Sequence, residues 1–571
     1  MAPRVALIAL LLAGCTRSGL PLMGAACPCL EGYVCCANVC VPEGTACGVE
    51  AVEPGVDPSA IRTPLIDATP EVFRVDDVAR GGGATIWDFD DDGDLDVAFA
   101  DVFGRRTVLF ANDGAGGFDD VTGAWGGIVP PFLAMRFGDI TGDGVTDFFL
   151  TIRKIAITMD KSPVWLATGR GDGGFDVAPT AIVPADVDGS IKGSALIDLD
   201  ADGDLDLIGC IDEAILTRAP LFIALWDNGD LRARPDLVSA WTGTATSGCS
   251  AGNLGDFDGD LDLDYLACGT ELRLYENHLD HFELVEAEGL PEGIANDCRS
   301  VEWTDFDGDG DLDIAYQTQS KIYEEVMPVS GTVIYRNDTP RDGEPSFRRV
   351  GAIEEDLTDV ECPLTNVTVA RPTLAGGSRS GSWIDADLDG DLDLFLPQPF
   401  PACIWNPILY ENTAGDGTAF EAHSIPAYGA FTGPTGLAAG DLDGDGDLDL
   451  ISNDWAYSDR TLFRNNAVED GALDDRFWLE VGVEDGAGRT VVAAVVEMDL
   501  DGPLGAPDFV NGRDKKQIRV IAPTGREASG PPLAYFGSAT GGEVCLRTRI
   551  PDGRVLMSCV DAWNQRVVLA P

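Results

Sequence analysis

The chain has 571 residues, 97 acidic against 38 basic side chains, a net charge of −59 and three histidines. That balance excludes a nucleic-acid surface, which needs Lys and Arg to meet phosphate. The histidine count (His278, His281, His423) excludes a His-rich zinc centre or several histidine-based catalytic sites, while 45% hydrophobic residues suffice for packed cores in two to four domains.

Residues 1–14 read as an export signal, with Arg4 as the positive region and Val5 to Ala13 as an apolar run too short to span a bilayer. The run ends in Leu12-Ala13-Gly14-Cys15, which resembles a bacterial lipobox. The resemblance implies cleavage before Cys15, lipidation of its thiol and, with Thr16 next in line, passage to the outer membrane or cell surface. Residues 15–26 then form a lipid-anchored tether, the membrane being met only through the lipid. No later segment reaches the ~18 apolar residues of a membrane helix. Fifteen cysteines less a lipidated Cys15 leave an even number. Six of them (Cys27, Cys29, Cys35, Cys36, Cys40, Cys47) crowd residues 27–47, which read as a small disulfide-rich knot whose pairing stays open. Residues 48–70 read as a linker.

From residue 71 to 470 an acidic loop recurs, starting at Asp88, Asp139, Asp198, Asp256, Asp305, Asp385 and Asp441, at intervals of 51, 59, 58, 49, 80 and 56 residues. Each copy has a Gly-containing apolar segment before it and an apolar run such as "LDLIGC" or "LDIAYQ" after it. A third segment ending in a turn follows ("RTVLFANDGAGGF"), then a short closing strand. Four short strands per unit, seven units and no convincing amphipathic helix predict an all-β fold built on a seven-bladed β-propeller. The segment Glu71 to Ala79 ("EVFRVDDVA") is similar to "GGFDDVTGA" at 116–124, so it is expected to supply the last strand of the final blade and close the ring.

The loop pattern is Asp-x-Asp-x-Asp-Gly-x-x-Asp, which suits an all-oxygen cation site for Ca2+, up to seven ions in all. The expected side-chain ligands are, at position 1, Asp88, Asp139, Asp198, Asp256, Asp305, Asp385 and Asp441; at position 3, Asp90, Thr141, Asp200, Asp258, Asp307, Asp387 and Asp443. At position 5 they are Asp92, Asp143, Asp202, Asp260, Asp309, Asp389 and Asp445; at position 9, Asp96, Asp147, Asp206, Asp264, Asp313, Asp393 and Asp449. Backbone carbonyls at position 7 would come from Asp94, Val145, Asp204, Asp262, Asp311, Asp391 and Asp447. Gly at position 6 permits the turn. An EF-hand is excluded, because position 12 is Phe99, Leu150, Gly209, Ala267, Tyr316, Leu396 or Ser452, never an acid. Empty acidic turns are disfavoured by the mutual repulsion of clustered carboxylates, about 1 kcal/mol per close pair even in water. The Thr141 and Leu261 copies depart from the pattern and are expected to be the weakest sites.

Loop and period together resemble the FG-GAP/VCBS repeats of integrin α-subunits and exported bacterial proteins. Residues 471–571, with "RFWLEVGV", "PPLAYFGSAT" and "IPDGRV", resemble the UnbV/ASPIC domain, which implies a second β domain without catalytic residues to transfer. Cys210 and Cys268 each lie twelve residues after the start of their loop, and Cys249 and Cys298 seven before theirs. The pairs Cys210–Cys249 and Cys268–Cys298 would therefore be one inter-blade bridge used twice. Cys545–Cys559 suits a hairpin, and Cys362–Cys403 is left by elimination.

Other candidates have blander readings. Arg170-Gly171-Asp172 reads as a blade turn before an integrin ligand, His278 and His281 as a turn into a strand before a metal pair, and Trp226, Trp241, Trp405 and Trp455 as blade core before a sugar rim. No G-x-S-x-G elbow, P-loop or zinc motif appears. The sequence thus predicts a calcium-stabilised binding or adhesion protein of the cell envelope, whose partner is an unknown protein or glycan and which binds no nucleic acid. The alternative is an exported hydrolase or lyase acting on glycans or other polymers.

Overall fold

A computed structural model describes residues 33–36 and 39–42 and most of the chain from residue 65 onward. Connecting segments stand outside the description, the longest being 153–163, 239–248, 319–331 and 501–515. The chain divides into two units, 1–62 and 63–571. In the first, Tyr33–Cys36 pairs antiparallel with Val39–Pro42, setting Cys35 opposite Cys40. Cys15 and the expected cysteine pairings of residues 27–47 lie outside the described residues.

In the second unit strands dominate, and helix is limited to 3-10 turns at Glu71–Arg74, Thr122–Trp125 and Pro235–Leu237 among the described residues. No helix among them is long and apolar enough to cross a membrane. Seven sheets follow one another, at residues 81–120, 132–179, 182–233, 249–285, 298–349, 382–424 and 434–465, antiparallel throughout except that Ile182–Val183 adds to the third in parallel with Asp230–Ala233. They are blades 1 to 7 of a β-propeller, and the acidic loop of each joins its first strand to its second. The first strands of neighbouring blades touch around the axis, where side chains have to be small. A Cβ on Gly193 (blade 3) would fall 2.1 Å from the Gly252 nitrogen of blade 4, and one on Gly436 (blade 7) 2.5 Å from the Ala84 nitrogen of blade 1. The long interval between the fifth and sixth loops holds an extra hairpin, Leu357–Cys362 with Val367–Arg371.

Apolar packing is continuous between blades. Phe137 lies against Trp87 between blades 2 and 1, Phe149 against Trp226 between blades 2 and 3, and Phe306 against Trp383 between blades 5 and 6. Trp226 is thus blade core, as expected; Trp241, Trp405 and Trp455 lie outside the described residues. Disulfides Cys210–Cys249 and Cys268–Cys298 staple blade 3 to blade 4 and blade 4 to blade 5, and Cys545–Cys559 crosses a C-terminal hairpin. The Cys362–Cys403 expectation falls on undescribed side chains.

The ring closes with a strand from before the first blade, but not the expected one. Leu65–Asp67 pairs antiparallel with the third strand of blade 7, Leu65 opposite Asn465. Glu71–Arg74 instead forms a 3-10 turn that buries Phe73 completely against Phe99, Phe110 and Phe118 of blade 1. The likeness of "EVFRVDDVA" to a fourth strand misplaced closure by six residues, because Phe73 is a plug between blades and not a strand residue.

The C-terminal part has two sheets around one core. One has the order Ala534–Ser538, Phe477–Val483, Gln565–Leu569; the other Lys516–Ile521, Ala494–Asp499, Val544–Arg549, Val555–Val560. Leu479, Val481, Phe536, Val496, Met498 and Leu546 fill the space between them.

Candidate metal centres

Each acidic loop is built by its own carboxylates. At position 1, Asp88 accepts the N–H of Asp92 on one oxygen (3.1 Å) and that of Gly93 on the other (3.0 Å); Asp139 and Asp385 repeat both bonds in their loops. At position 5, one carboxylate oxygen accepts the N–H of position 7 in all seven loops. Curling this tightly puts two residues of every loop into left-handed backbone. Position 6 has φ from 71° at Leu261 to 103° at Gly390, as the expected glycine implied. Position 4 is left-handed too, and three copies lack glycine there: Asp91 (φ 60°), Ala201 (57°) and Leu388 (57°). Four of the five non-glycine residues with positive φ among the described residues therefore lie in these loops, a concentration of strain of the kind that marks functional sites.

Position 9 sits at the root of the loop, buried in all seven copies. Asp96 accepts N–H groups from Phe89 (3.0 Å) and from Asn112 at the end of the third strand (2.8 Å). The same double bond recurs at Asp206, Asp264, Asp393 and Asp449. Position 9 is therefore a structural pin besides an expected ligand, a role sequence spacing does not reveal.

Above the pin the carboxylates converge. One oxygen from each of positions 1, 3 and 9 lies within 4.8 Å of the others in the loops of Asp88, Asp198, Asp256 and Asp305. Buried oxygens Asp90 Oδ1, Asp198 Oδ1, Asp307 Oδ1 and Asp313 Oδ2 have no hydrogen-bond partner. Burial, with neighbouring carboxylates adding, pushes Asp88 up to about 6, Asp96 and Asp206 to about 8, Asp256 and Asp305 to about 7, and Asp385 to about 8. Converging carboxylate oxygens without donors in a curled loop fit a hard divalent cation and nothing that offers only acceptors. In three loops an arginine meets position 3 or its neighbour: Arg336 at 3.9 Å from Asp307, Arg476 at 3.4 Å from Asp387, and Arg464 on Asp443.

Position 7 does more than its expected carbonyl role. The Asp391 carboxyl is raised to about 9 and that of Asp447 to about 8, by burial first and then by the acids around them. The Asp262 carboxylate instead pairs with Arg549 of the C-terminal domain at 2.7 Å.

That pair belongs to a larger contact which sequence reading missed. The C-terminal domain rests on the acidic loops, and it meets them at position 6. A side chain there would collide with Arg489 at Gly203, with Gln517 at Gly390 and with Trp478 at Gly446, and would press tightly on Lys516 at Gly310. Arg489 also donates to the Gly203 carbonyl. Gly93 and Gly144 have open space, so loops 1 and 2 stay clear at this position while loops 3 to 7 are covered. Glycine at position 6 serves the backbone turn in every loop that has it, and close approach of a second domain in four.

Between the cap and blades 4 to 7 lies a cavity of about 190 Å³, lined in part by Asn253, Ser300, Glu302, Trp383 and Arg519. Burial raises the Glu302 carboxyl to about 8. Arg519 spends its donors within its own domain, on the Tyr535 and Ile518 carbonyls and on Gln517, while facing Asp305 and Asp385.

The Arg-Gly-Asp motif takes its bland reading. Arg170 of Arg-Gly-Asp folds back on its own turn, its guanidinium on the Phe175 carbonyl (2.9 Å), Asp172 and Asp176. His278 and His281 close a hairpin turn, the His278 N–H donating to the His281 carbonyl.

Residues 256–316 and 400–452, which hold the fourth and fifth loops and most of the seventh blade's first two strands, match the FG-GAP-like repeat family. Among solved structures, BBS1N in complex with ARL6DN aligns at 10% identity and a TM-score of 0.40, over 71% of this chain and 97% of that one. Sqt1 of Saccharomyces cerevisiae aligns at 11% identity and 0.37, over 70% and 86%. Comparison with curated proteins gives no match.

Proposed function

We propose that this protein is a calcium-stabilised binding or adhesion protein of the cell envelope, anchored through a lipid on Cys15. The observation that carries the calcium reading is the recurrence, in the acidic loops of a propeller with two stretches that match FG-GAP-like repeats, of buried carboxylate oxygens left without hydrogen-bond donors. Calcium would be held by positions 1, 3, 5 and 9 and by the position-7 carbonyls, supplying positive charge to loops whose acids otherwise repel. At ~1 mM calcium and a site Kd of ~0.1 mM, each ion adds about 1.4 kcal/mol. Seven give about 10 kcal/mol, on the scale of a whole domain's stability. The cation is then scaffold, and partner recognition falls to other surfaces. Strands alternate in direction within each blade, so the connections from second to third strand leave from the face opposite the cap. That face is where an envelope protein or glycan would dock.

The test has two arms. Thermal unfolding of the chain from residue 27 in calcium and in excess chelator should show a large fall in Tm on chelation, restored by calcium and not by magnesium; an unchanged Tm refutes the scaffold role. Binding to isolated envelope fractions and to a glycan panel should be retained without product release. Turnover of any glycan, abolished by Glu302→Gln in the axial cavity, would establish the enzyme alternative instead.

A further inference from the structure

A second kind of metal chemistry sits on the edge of blade 4. The hairpin turn between Leu272–Asn277 and Phe282–Val285 carries two of the chain's three histidines, and their rings lie 5.1 Å apart, inclined by 43°. One ligand atom each from His278, His281 and Glu283 lies within 4.8 Å of the others. Glu276 stands directly opposite Glu283 across the two strands. The His278 ring lies between them, Nδ1 3.6 Å from Glu276 and Nε2 3.4 Å from Glu283.

Two carboxylates facing each other across antiparallel strands repel, and the acids of the neighbouring loop, Asp258 and Asp260, also act on Glu276. The field at this turn therefore favours a cation. The donor set differs from that of the acidic loops: two imidazole nitrogens with carboxylate oxygen suit zinc and its neighbours, not calcium. Ligand atoms around tetrahedral zinc lie roughly 3.3 Å apart, given bonds of about 2.0–2.1 Å. The side chains need to close by an ångström or so, and they stand at the surface, where His278 is 36% and Glu283 55% exposed. The His278 N–H donates to the His281 carbonyl and ties the two ends of the turn together.

We propose that this hairpin is a zinc-class metal site formed by His278, His281 and Glu283, with Glu276 or water in the fourth position. It lies at the outer edge of its blade, where the fourth position is open to solvent or to a ligand from a partner. The site is independent of the calcium reading, so it is probed in the whole processed chain with millimolar calcium present to occupy the acidic loops. Cobalt(II) is titrated first, for its intense visible absorption in tetrahedral N/O sites, and zinc next by calorimetry. One equivalent should bind with the tetrahedral cobalt spectrum and be displaced by zinc. The His278→Ala/His281→Ala pair should weaken binding at least a hundredfold, and Glu283→Gln about tenfold, with Tm in calcium unchanged. Absence of a tetrahedral cobalt spectrum, or binding that survives both the double variant and Glu283→Gln, overturns the site. If the double variant does not fold, Glu283→Gln and a His281→Gln single variant decide by the same cobalt titration.

Discussion

At the scale of single residues, the least conspicuous side chain in the repeat has the widest reach. Asparagine ends the third strand in five blades, at Asn112, Asn277, Asn337, Asn412 and Asn465. Its N–H pins the position-9 aspartate, and in four of these blades its amide donates to the carbonyl at position 2 of the preceding blade's acidic loop. Asn112 joins blade 1 to Leu442 of blade 7 at 2.7 Å and to Leu95 of its own loop at 2.9 Å. Asn112→Ala removes the donor from one buried and one part-buried carbonyl and should cost about 2–4 kcal/mol, read as a fall in denaturant midpoint with unchanged slope. Blades 2 and 3 have Gly169 and Trp226 at this place, whose N–H groups keep the pin but lack the amide. None of this was legible in sequence, since asparagine at the end of a strand reads as turn chemistry alone. The aspartates were legible, because their spacing repeats and because clustered carboxylates require a physical reason.

At the scale of the loop and its strands, titration ties chemistry to stability. Carboxyls held at about 6 to 9 keep protons that the unfolded chain releases near pH 4. In that window the folded, metal-free protein binds more protons than the unfolded one, so its stability falls as pH rises from about 4 through about 9. Calcium displaces those protons, so its apparent affinity should rise with pH over the same range. Unfolding midpoints measured with chelator and with calcium should therefore diverge as pH increases; parallel curves would contradict the reading of these loops as cation sites. The blades themselves were readable as strands from their short apolar runs, and two inter-blade disulfides from a repeated offset. The left-handed residue at position 4 was not readable, because Asp91, Ala201 and Leu388 stand where no glycine marks the turn.

At the scale of the molecule, the cap divides the seven loops into two kinds. Loops 3 to 7 lie under Arg489, Arg549, Lys516, Gln517 and Trp478, while the position-6 glycines of loops 1 and 2 face open space. Terbium loaded in place of calcium should leave in two kinetic classes, about two ions fast and the rest at least tenfold slower, followed by its luminescence after adding chelator; a single class would mean the cap does not govern access. The cap was invisible in sequence because its contacts are lone side chains scattered over some seventy residues. The closing strand has a consequence of another order. Leu65–Asp67 is the earliest segment of the ring to be synthesised, and it pairs with one of the latest; the bond from the Leu462 N–H to the Thr69 hydroxyl spans 393 positions. Closing a flexible loop of that length costs about 5 kcal/mol of chain entropy, and contacts so distant in sequence slow the search. The ring therefore cannot be completed blade by blade as the chain emerges. Buried Leu65 acts last, and Leu65→Ala should lower stability by about 2–4 kcal/mol, with the change in double-jump refolding confined to the final phase. Until that strand arrives, a nascent propeller presents an unpaired edge on its seventh blade, a template for a second chain, and folding becomes a race between self-closure and exchange of strands between molecules.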